Sequence, residues 1–325
     1  MTAPAVTDDA AAAAADANDN NDDAADAAPP MPWRERLELS VGKGQLHALR
    51  RVMARVAGLR PGVADVGGHR LAYLDRGAGD PLVCVHGFGG DKETWLLMAP
   101  WLPRRWRTVL LDLPGHGASS AIGEADASAR AQAATLARFL DARGIDRAIV
   151  AGNSMGGGIA LRFAHDFPDR VRALVLVASV GPVVIDNELT RALARGDNLL
   201  VPSSRQQTDD FLRTVTARPP RVPRAIQRYV TAQRVAAQDR LQIIFRGWAQ
   251  HRAGDGVPTD LAGLDVPALV LHGALDRIIH PATADDLAAR LPRARRVILD
   301  GIGHVPQLEA PSDVARRIAE FAAGL

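Results

Sequence analysis

Ser154 lies in Gly152-Asn153-Ser154-Met155-Gly156, between the apolar run Ala148-Ile149-Val150-Ala151 and the small-residue stretch Gly157-Gly158-Ile159-Ala160-Leu161. This is the pattern of a strand, a very tight turn and a helix, with one hydroxyl at the apex. Glycines flank the serine because the turn is strained and leaves no room for a neighbouring Cβ. A serine held there points its Oγ out of the sheet at a helix N-terminus, where free N–H groups favour developing negative charge. Ser154 is therefore the candidate nucleophile.

A serine hydroxyl needs a base within hydrogen-bond reach, and the base needs an orienting group. His304, in Asp300-Gly301-Ile302-Gly303-His304-Val305-Pro306, follows the last predicted strand on a glycine-bounded loop. Asp276 follows another strand through His272-Gly273-Ala274-Leu275. Among its competitors, Asp285 and Asp286 read as helix-surface residues, and Asp300 is too near His304 in sequence to reach its ring. The oxyanion-hole donors are expected to be the backbone N–H groups of Met155 and Phe88. Phe88 lies in His86-Gly87-Phe88-Gly89-Gly90, where Gly87 is expected to allow the sharp turn. His86 and His116 read as loop-holding residues.

No metal or cofactor is implied. The nine histidines are scattered, no H-x-x-x-H pair is present, and the glycines around Ser154 lack the spacing of a dinucleotide fingerprint. The single cysteine, Cys84, sits in an apolar run and reads as a small buried hydrophobe.

These residues need a scaffold that brings strand ends together. Buried-type strands are predicted at 82–85, 108–111, 148–151, 174–177, 268–271 and 297–299, with a hairpin over 63–74. Helical stretches at 128–143, 155–167 and 283–291 alternate with them. The pattern predicts an α/β fold, a mainly parallel sheet covered by helices on both faces. The core comprises residues 63–181 and 259–325. The interval 182–258, interrupted by Arg218-Pro219-Pro220-Arg221-Val222-Pro223, is too long for a bare loop and reads as a helical cap over the C-terminal strand ends. Its Phe211, Phe245 and Trp248, with Val305 beside His304, are the candidate substrate-pocket residues. Tyr229 reads as cap packing.

Charge is unevenly spread. Residues 1–30 carry seven Asp and no Lys or Arg, so the net +2 of the chain becomes +9 without them. Their Ala, Asn and Asp content predicts a disordered acidic tail without the features of a secretory signal. Residues 31–62 form a basic amphipathic segment: Leu46, Leu49, Met53 and Val56 share a helix face, with Arg51 and Arg55 opposite. The expected packing is against the domain, with the basic face in solvent. The sharper reading is peripheral contact with anionic lipid. No aromatic platform or recognition motif accompanies the basic residues, so nucleic acid is not an expected partner. No run of about 18 apolar residues is present, and the expected location is cytoplasmic, with peripheral membrane association. Oligomeric state is not legible.

From about residue 63 the chain resembles the α/β-hydrolase superfamily. The likeness is carried by His86-Gly87-Phe88-Gly89-Gly90, Asp112-x-Pro114-Gly115-His116-Gly117, Gly152-Asn153-Ser154-Met155-Gly156-Gly157, His272-Gly273 with Asp276, and Gly303-His304. The chain order Ser154, Asp276, His304 is that of the superfamily. The extended loop through Asp91-Lys92-Glu93-Thr94-Trp95, Asp197-Asn198-Leu199-Leu200 and the proline-rich 218–223 stretch are similar to cold-active bacterial lipases and monoacylglycerol-lipase-like esterases. That resemblance implies an acyl-ester or lipid substrate cleaved through an acyl-enzyme. The meta-cleavage-product C–C hydrolases share the elbow, but usually carry Trp directly after the histidine, where this chain has Val305. Haloalkane dehalogenases and epoxide hydrolases carry Asp at the elbow. A non-catalytic binding protein of this fold is expected to have lost part of the constellation, which here is complete.

Overall fold

The computed structural model describes residues 32–219, 221–249 and 253–325. The expected acidic tail lies outside the described residues.

Helix α1 (Trp33–Ala57) precedes an antiparallel pair, β1 (Arg60–Asp65) and β2 (Arg70–Arg76). Then follow β3 (Pro81–Val85), β4 (Arg107–Leu111), α2 (Ala129–Ala142), β5 (Ala148–Asn153), α3 (Met155–Asp166) and β6 (Val171–Val177). Four helices come next: α4 (Glu188–Ala194), α5 (Arg205–Val215), α6 (Arg224–Ala236) and α7 (Gln238–Ala249). The chain closes with β7 (Ala268–Gly273), α8 (Ala282–Arg290), β8 (Ala294–Leu299), α9 (Pro306–Glu309) and α10 (Pro311–Ala322). The sheet order is β1-β2-β4-β3-β5-β6-β7-β8, parallel from β4 onward.

The continuous apolar strands are explained by burial on both sides. Val83, Val85, Val109, Leu111 and Val150 point to one face, under α2, α3 and α8. Leu82, Cys84, Leu110, Ile149 and Ala151 point to the other, where α10, Trp95 and Met98 cover them. Alternation of direction with no alternation of polarity is what a doubly covered sheet requires. Cys84 is fully enclosed, and burial pushes its thiol pKa up, away from the reactive thiolate.

The helices α4–α7 lie between β6 and β7 in the chain. Asn187 and Ser204 cap α4 and α5 by accepting from Thr190 N–H (3.0 Å) and Gln207 N–H (3.2 Å). The proline-rich 218–223 stretch separates α5 from α6, since proline cannot continue a helix interior.

Helix α1 packs on α6, closest at Gly42, where a Cβ would come 2.0 Å from the Ala225 carbonyl oxygen. Leu46 and Met53 turn toward the body, but Leu49 (48 % exposed) and Val56 (53 %) do not. The four were expected to pack together. Their spacing spreads them over an arc, and the side of α1 nearest the body runs through Gly42, Leu46, Arg50, Met53 and Ala57.

Candidate active site

The turn between β5 and α3 places Ser154 at φ 54°, ψ −119°, one of two non-glycine residues with positive φ among the described residues. Such a conformation costs about 1–3 kcal/mol and persists only where the surroundings over-determine it. Here Ser154 N–H donates to the Val177 carbonyl (3.0 Å), and its own carbonyl accepts from Gly157 (2.9 Å) and Val180 (3.2 Å). The flanking glycines are required sterically. A Cβ at Gly152 would lie 2.2 Å from the Gly156 carbonyl oxygen, and one at Gly156 would lie 2.4 Å from that of Val85. The Ser154 hydroxyl does not cap α3.

The loop after β3 abuts this turn. A Cβ on Gly87 would meet Ser154 Cβ at 3.1 Å, so residue 87 is glycine because of a close approach, not because of its own backbone angles. The left-handed residue of the turn is Gly89 (φ 63°), with Gly90 N–H closing it onto the Gly87 carbonyl at 3.1 Å. The turn was expected to depend on Gly87. Among the described residues, neither Phe88 N–H nor Met155 N–H donates in a loop or turn hydrogen bond.

His86 holds the loop: its Nδ1–H donates to the Gly87 carbonyl (2.8 Å) and its Nε2 accepts from Leu113 N–H (3.1 Å). Those partners assign the neutral tautomer, and burial lowers the ring's pKa accordingly. His116 packs edge-on against His86, and burial depresses its pKa as well. Asp112, wholly buried at the end of β4, accepts from Lys92 N–H (2.6 Å), Lys92 Nζ (2.7 Å) and Ala118 N–H (2.9 Å). Gly117 is glycine because a Cβ there would strike this carboxylate at 2.3 Å.

Asp276 and His304 come from the ends of β7 and β8. Asp276 Oδ2 accepts from His304 Nδ1–H at 2.8 Å, while Oδ1 accepts from Ile278 N–H (2.8 Å) and Ile279 N–H (3.0 Å). Burial alone would raise the Asp276 pKa. The charge of His304 and hydrogen bonds from His272 and His304 more than offset it, holding the carboxyl well below the usual carboxylate range. Asn153 Nδ2 donates to the His304 carbonyl at 3.2 Å, joining the residue before Ser154 to the His304 loop. Gly273 permits the crossing of that loop over β7, where a Cβ would lie 2.1 Å from the Gly303 carbonyl oxygen.

Two residues at this site carry no assigned role in the sequence. His272, wholly buried, places Nε2 3.0 Å from both the Ile279 carbonyl oxygen and Asp276 Oδ2, so its one N–H is shared between them. Glu309 joins the segment after α5 to the His304 loop, accepting from Ala217 N–H (2.8 Å) and Gly303 N–H (3.1 Å). The i, i+4 relation of His272 to Asp276 was visible, but only the fold turns both side chains inward. Nothing in the sequence pairs Glu309 with Ala217, which lies 92 positions earlier and before the proline-rich break.

The proposed pocket residues separate. Phe245 stands edge-on to Phe88 (ring centroids 6.1 Å apart), and Trp248, one turn further along α7, reaches over Gly158 of α3. Val305 is half-buried at the start of α9. Phe211 is buried in a cluster with Leu189, Val215 and Ile278, under the Arg234 guanidinium. Among the described residues no group of three or more His, Cys, Asp or Glu side chains is arranged to hold a metal ion.

The likeness to known proteins covers this whole arrangement. Lipase 1 of Psychrobacter immobilis is 31 % identical over 266 residues, 78 % of this chain and 81 % of that protein. A 2-hydroxy-6-oxo-2,4-heptadienoate hydrolase of Pseudomonas putida is 30 % identical over 266 residues, 79 % of this chain and 94 % of that one. The crystal structure of a membrane phospholipase A, a bacterial virulence factor, superposes with a TM-score of 0.83 at 34 % identity, covering 87 % of this chain and 92 % of that one. The alpha/beta hydrolase fold family matches residues 80–311, a span that begins before the Phe88 loop and ends beyond His304. Every strand end that carries a site residue thus lies within the shared fold, and the chain belongs to the α/β-hydrolase fold family.

Proposed function

We propose that the protein is a serine hydrolase of carboxylic esters, acting on acylglycerols or other acyl lipids through an acyl-enzyme. The observation that carries this reading is the Asp276–His304 hydrogen bond, held at the sheet edge where Ser154 stands on a strained turn. In this reading Ser154 Oγ attacks the acyl carbonyl and His304 Nε2 takes its proton. The N–H groups of Phe88 and Met155 receive the oxyanion, and Asp276 stabilises the imidazolium. His304 then protonates the leaving alcohol, and a water activated by the same ring hydrolyses the acyl-enzyme. Phe88, Phe245 and Trp248 offer an apolar wall for the acyl chain.

The lipase and phospholipase relatives favour ester chemistry, while the heptadienoate hydrolase relative keeps C–C cleavage in the comparison. A series of p-nitrophenyl esters of rising acyl length, run beside a vinylogous 1,5-diketone, is expected to give turnover of the esters with little or none of the diketone. Preferential cleavage of the diketone would overturn the assignment.

The same proposal extends to where the substrate is met. No helix of the described residues is long and apolar enough to cross a membrane. Yet α1 exposes Trp33, Leu37, Val41, Val52 and Val56, and the adjacent turn exposes Trp101. Arg51 and Arg55 are exposed on the same helix, and Arg104 donates to the Val56 carbonyl at 3.2 Å. An apolar stripe edged by arginines suits the interface of an anionic bilayer. Leu37→Glu with Val52→Glu is expected to reduce co-sedimentation with phosphatidylcholine–phosphatidylserine vesicles at least about tenfold, from two lost apolar contacts of roughly 1–2 kcal/mol each. Turnover of a soluble short-chain ester should be unchanged. Undiminished vesicle binding by the double variant would reject the lipid-contact reading.

A further inference from the structure

A cavity of about 460 Å³ lies on the outer side of the Phe88 loop, enclosed by α1, the loops after β3 and β4, and the cap helices α5–α7. It shares Gly89 and Gly90 with the oxyanion loop, but Ser154, Asp276 and His304 do not line it. The cavity therefore lies to one side of those three residues.

Its charges are not balanced. Each carboxylate at its wall already has a cation. Asp91 accepts from Arg50 (2.9 Å), and Lys92 is shared between Glu93 (3.2 Å) and the buried Asp112 (2.7 Å). That leaves Arg234 and Arg240, neither of which has a carboxylate within 4.0 Å among the described residues. Arg240 is exposed at the rim.

Arg234 is the unusual one. Its guanidinium lies 3.9 Å over the Phe211 ring, with Nη1 donating to the Gly89 carbonyl (3.3 Å) and Nη2 to the Leu200 carbonyl (3.0 Å). Its Nε is shut off from solvent and has no hydrogen-bond partner among the described residues. Burial with no compensating anion pushes its pKa down to about 10, still leaving it charged. A half-buried cation with only neutral acceptors among the described residues is costly to maintain. A planar guanidinium with spare donors is also the group best matched to the oxygens of a phosphate or carboxylate.

Size selects between anions. The chamber would hold roughly fifteen waters at about 30 Å³ each, more than a bare tetrahedral oxyanion needs. Leu46, Val230 and Leu241 supply apolar wall beside the arginines. We infer that this chamber binds a phosphate ester, with Arg234 and Arg240 holding the phosphate and the α1–α6 side accommodating its organic part. The phosphate could arrive as a lipid headgroup or as a free phosphate species. The inference does not depend on the ester-hydrolase reading, because no triad residue contributes to the chamber.

Isothermal titration calorimetry on the full-length protein tests it, with inorganic phosphate and sn-glycerol 3-phosphate as separate probes. The wild type is expected to bind at least one of them below about 1 mM, and Arg234→Gln and Arg240→Gln each to weaken binding about tenfold or more, the scale of a lost charge-assisted contact. Tighter binding of sn-glycerol 3-phosphate than of inorganic phosphate is the expected result; equal binding of the two overturns the assignment of a phosphate ester, because the organic part would then make no contact. Because Arg234 also ties α6 to the Gly89 turn, Arg234→Gln counts only with thermal unfolding that matches the wild type. Arg240→Gln, at the exposed rim, decides the matter otherwise. Absence of binding to the wild type up to about 10 mM of either probe, or undiminished binding by every folded variant, overturns the inference.

Discussion

Replacing Ser154 with Ala is expected to lower kcat for p-nitrophenyl esters by about 10⁴–10⁶-fold, the range seen when the nucleophile of such a unit is removed. The protein should remain folded. The Ser154 hydroxyl caps no helix, and the turn is held by main-chain hydrogen bonds to Val177, Gly157 and Val180 that alanine keeps. Alanine meets the same positive-φ cost as serine, so the strain does not change sign. The expected result is a catalytically dead protein whose thermal unfolding temperature lies within a few degrees of the wild type. Binding of a product-length fatty acid should survive, since Phe88, Phe245 and Trp248 are untouched. Residual turnover above about 1 % of wild type would remove Ser154 from the nucleophile's role.

The strength of that expectation reflects how much of the site is written locally. A strand, a glycine-flanked serine and a small-residue helix are contiguous, and their steric logic acts within a few residues of sequence. The strands were legible for the same kind of reason. Runs such as Leu82-Val83-Cys84-Val85 are apolar on both faces because both faces are covered, and no partner need be known to read that. Legibility fails where a contact joins distant segments. Gly87 and Gly89 look interchangeable in sequence, yet one answers to Ser154 across the loop and the other to its own φ. Glu309 looks like a helix-surface acid, but accepts from Ala217 and Gly303. Helix α1 shows the converse failure. Its apolar residues share one face in the sequence, yet Leu49 and Val56 remain in the open.

Asp276→Asn is expected to lower kcat about 10⁴-fold with a smaller change in KM, because the substitution reverses one hydrogen bond without emptying the site. An asparagine can keep Oδ1 as acceptor for the Ile278 and Ile279 N–H groups. Its amide NH₂ then stands where Oδ2 accepts from His304 Nδ1 (2.8 Å) and approaches His272 Nε2 (3.0 Å). To accept from that amide, His304 must move its proton to Nε2, the nitrogen that has to take the Ser154 proton. The base is thus lost through its tautomer, and the imidazolium of the transition state loses its counter-charge as well. His272 separates this account from a merely structural one. If Asp276 acted only by packing, removing either imidazole partner would perturb it alike. In the tautomer account, His272→Asn leaves Asp276 ionised and still bonded to His304, so kcat should fall no more than about tenfold. The two variants are therefore to be compared by kcat and by thermal unfolding together. A His272 variant as inactive as Asp276→Asn, at equal stability, would show that the carboxylate works through both rings and that the tautomer of His304 is not what limits the asparagine variant.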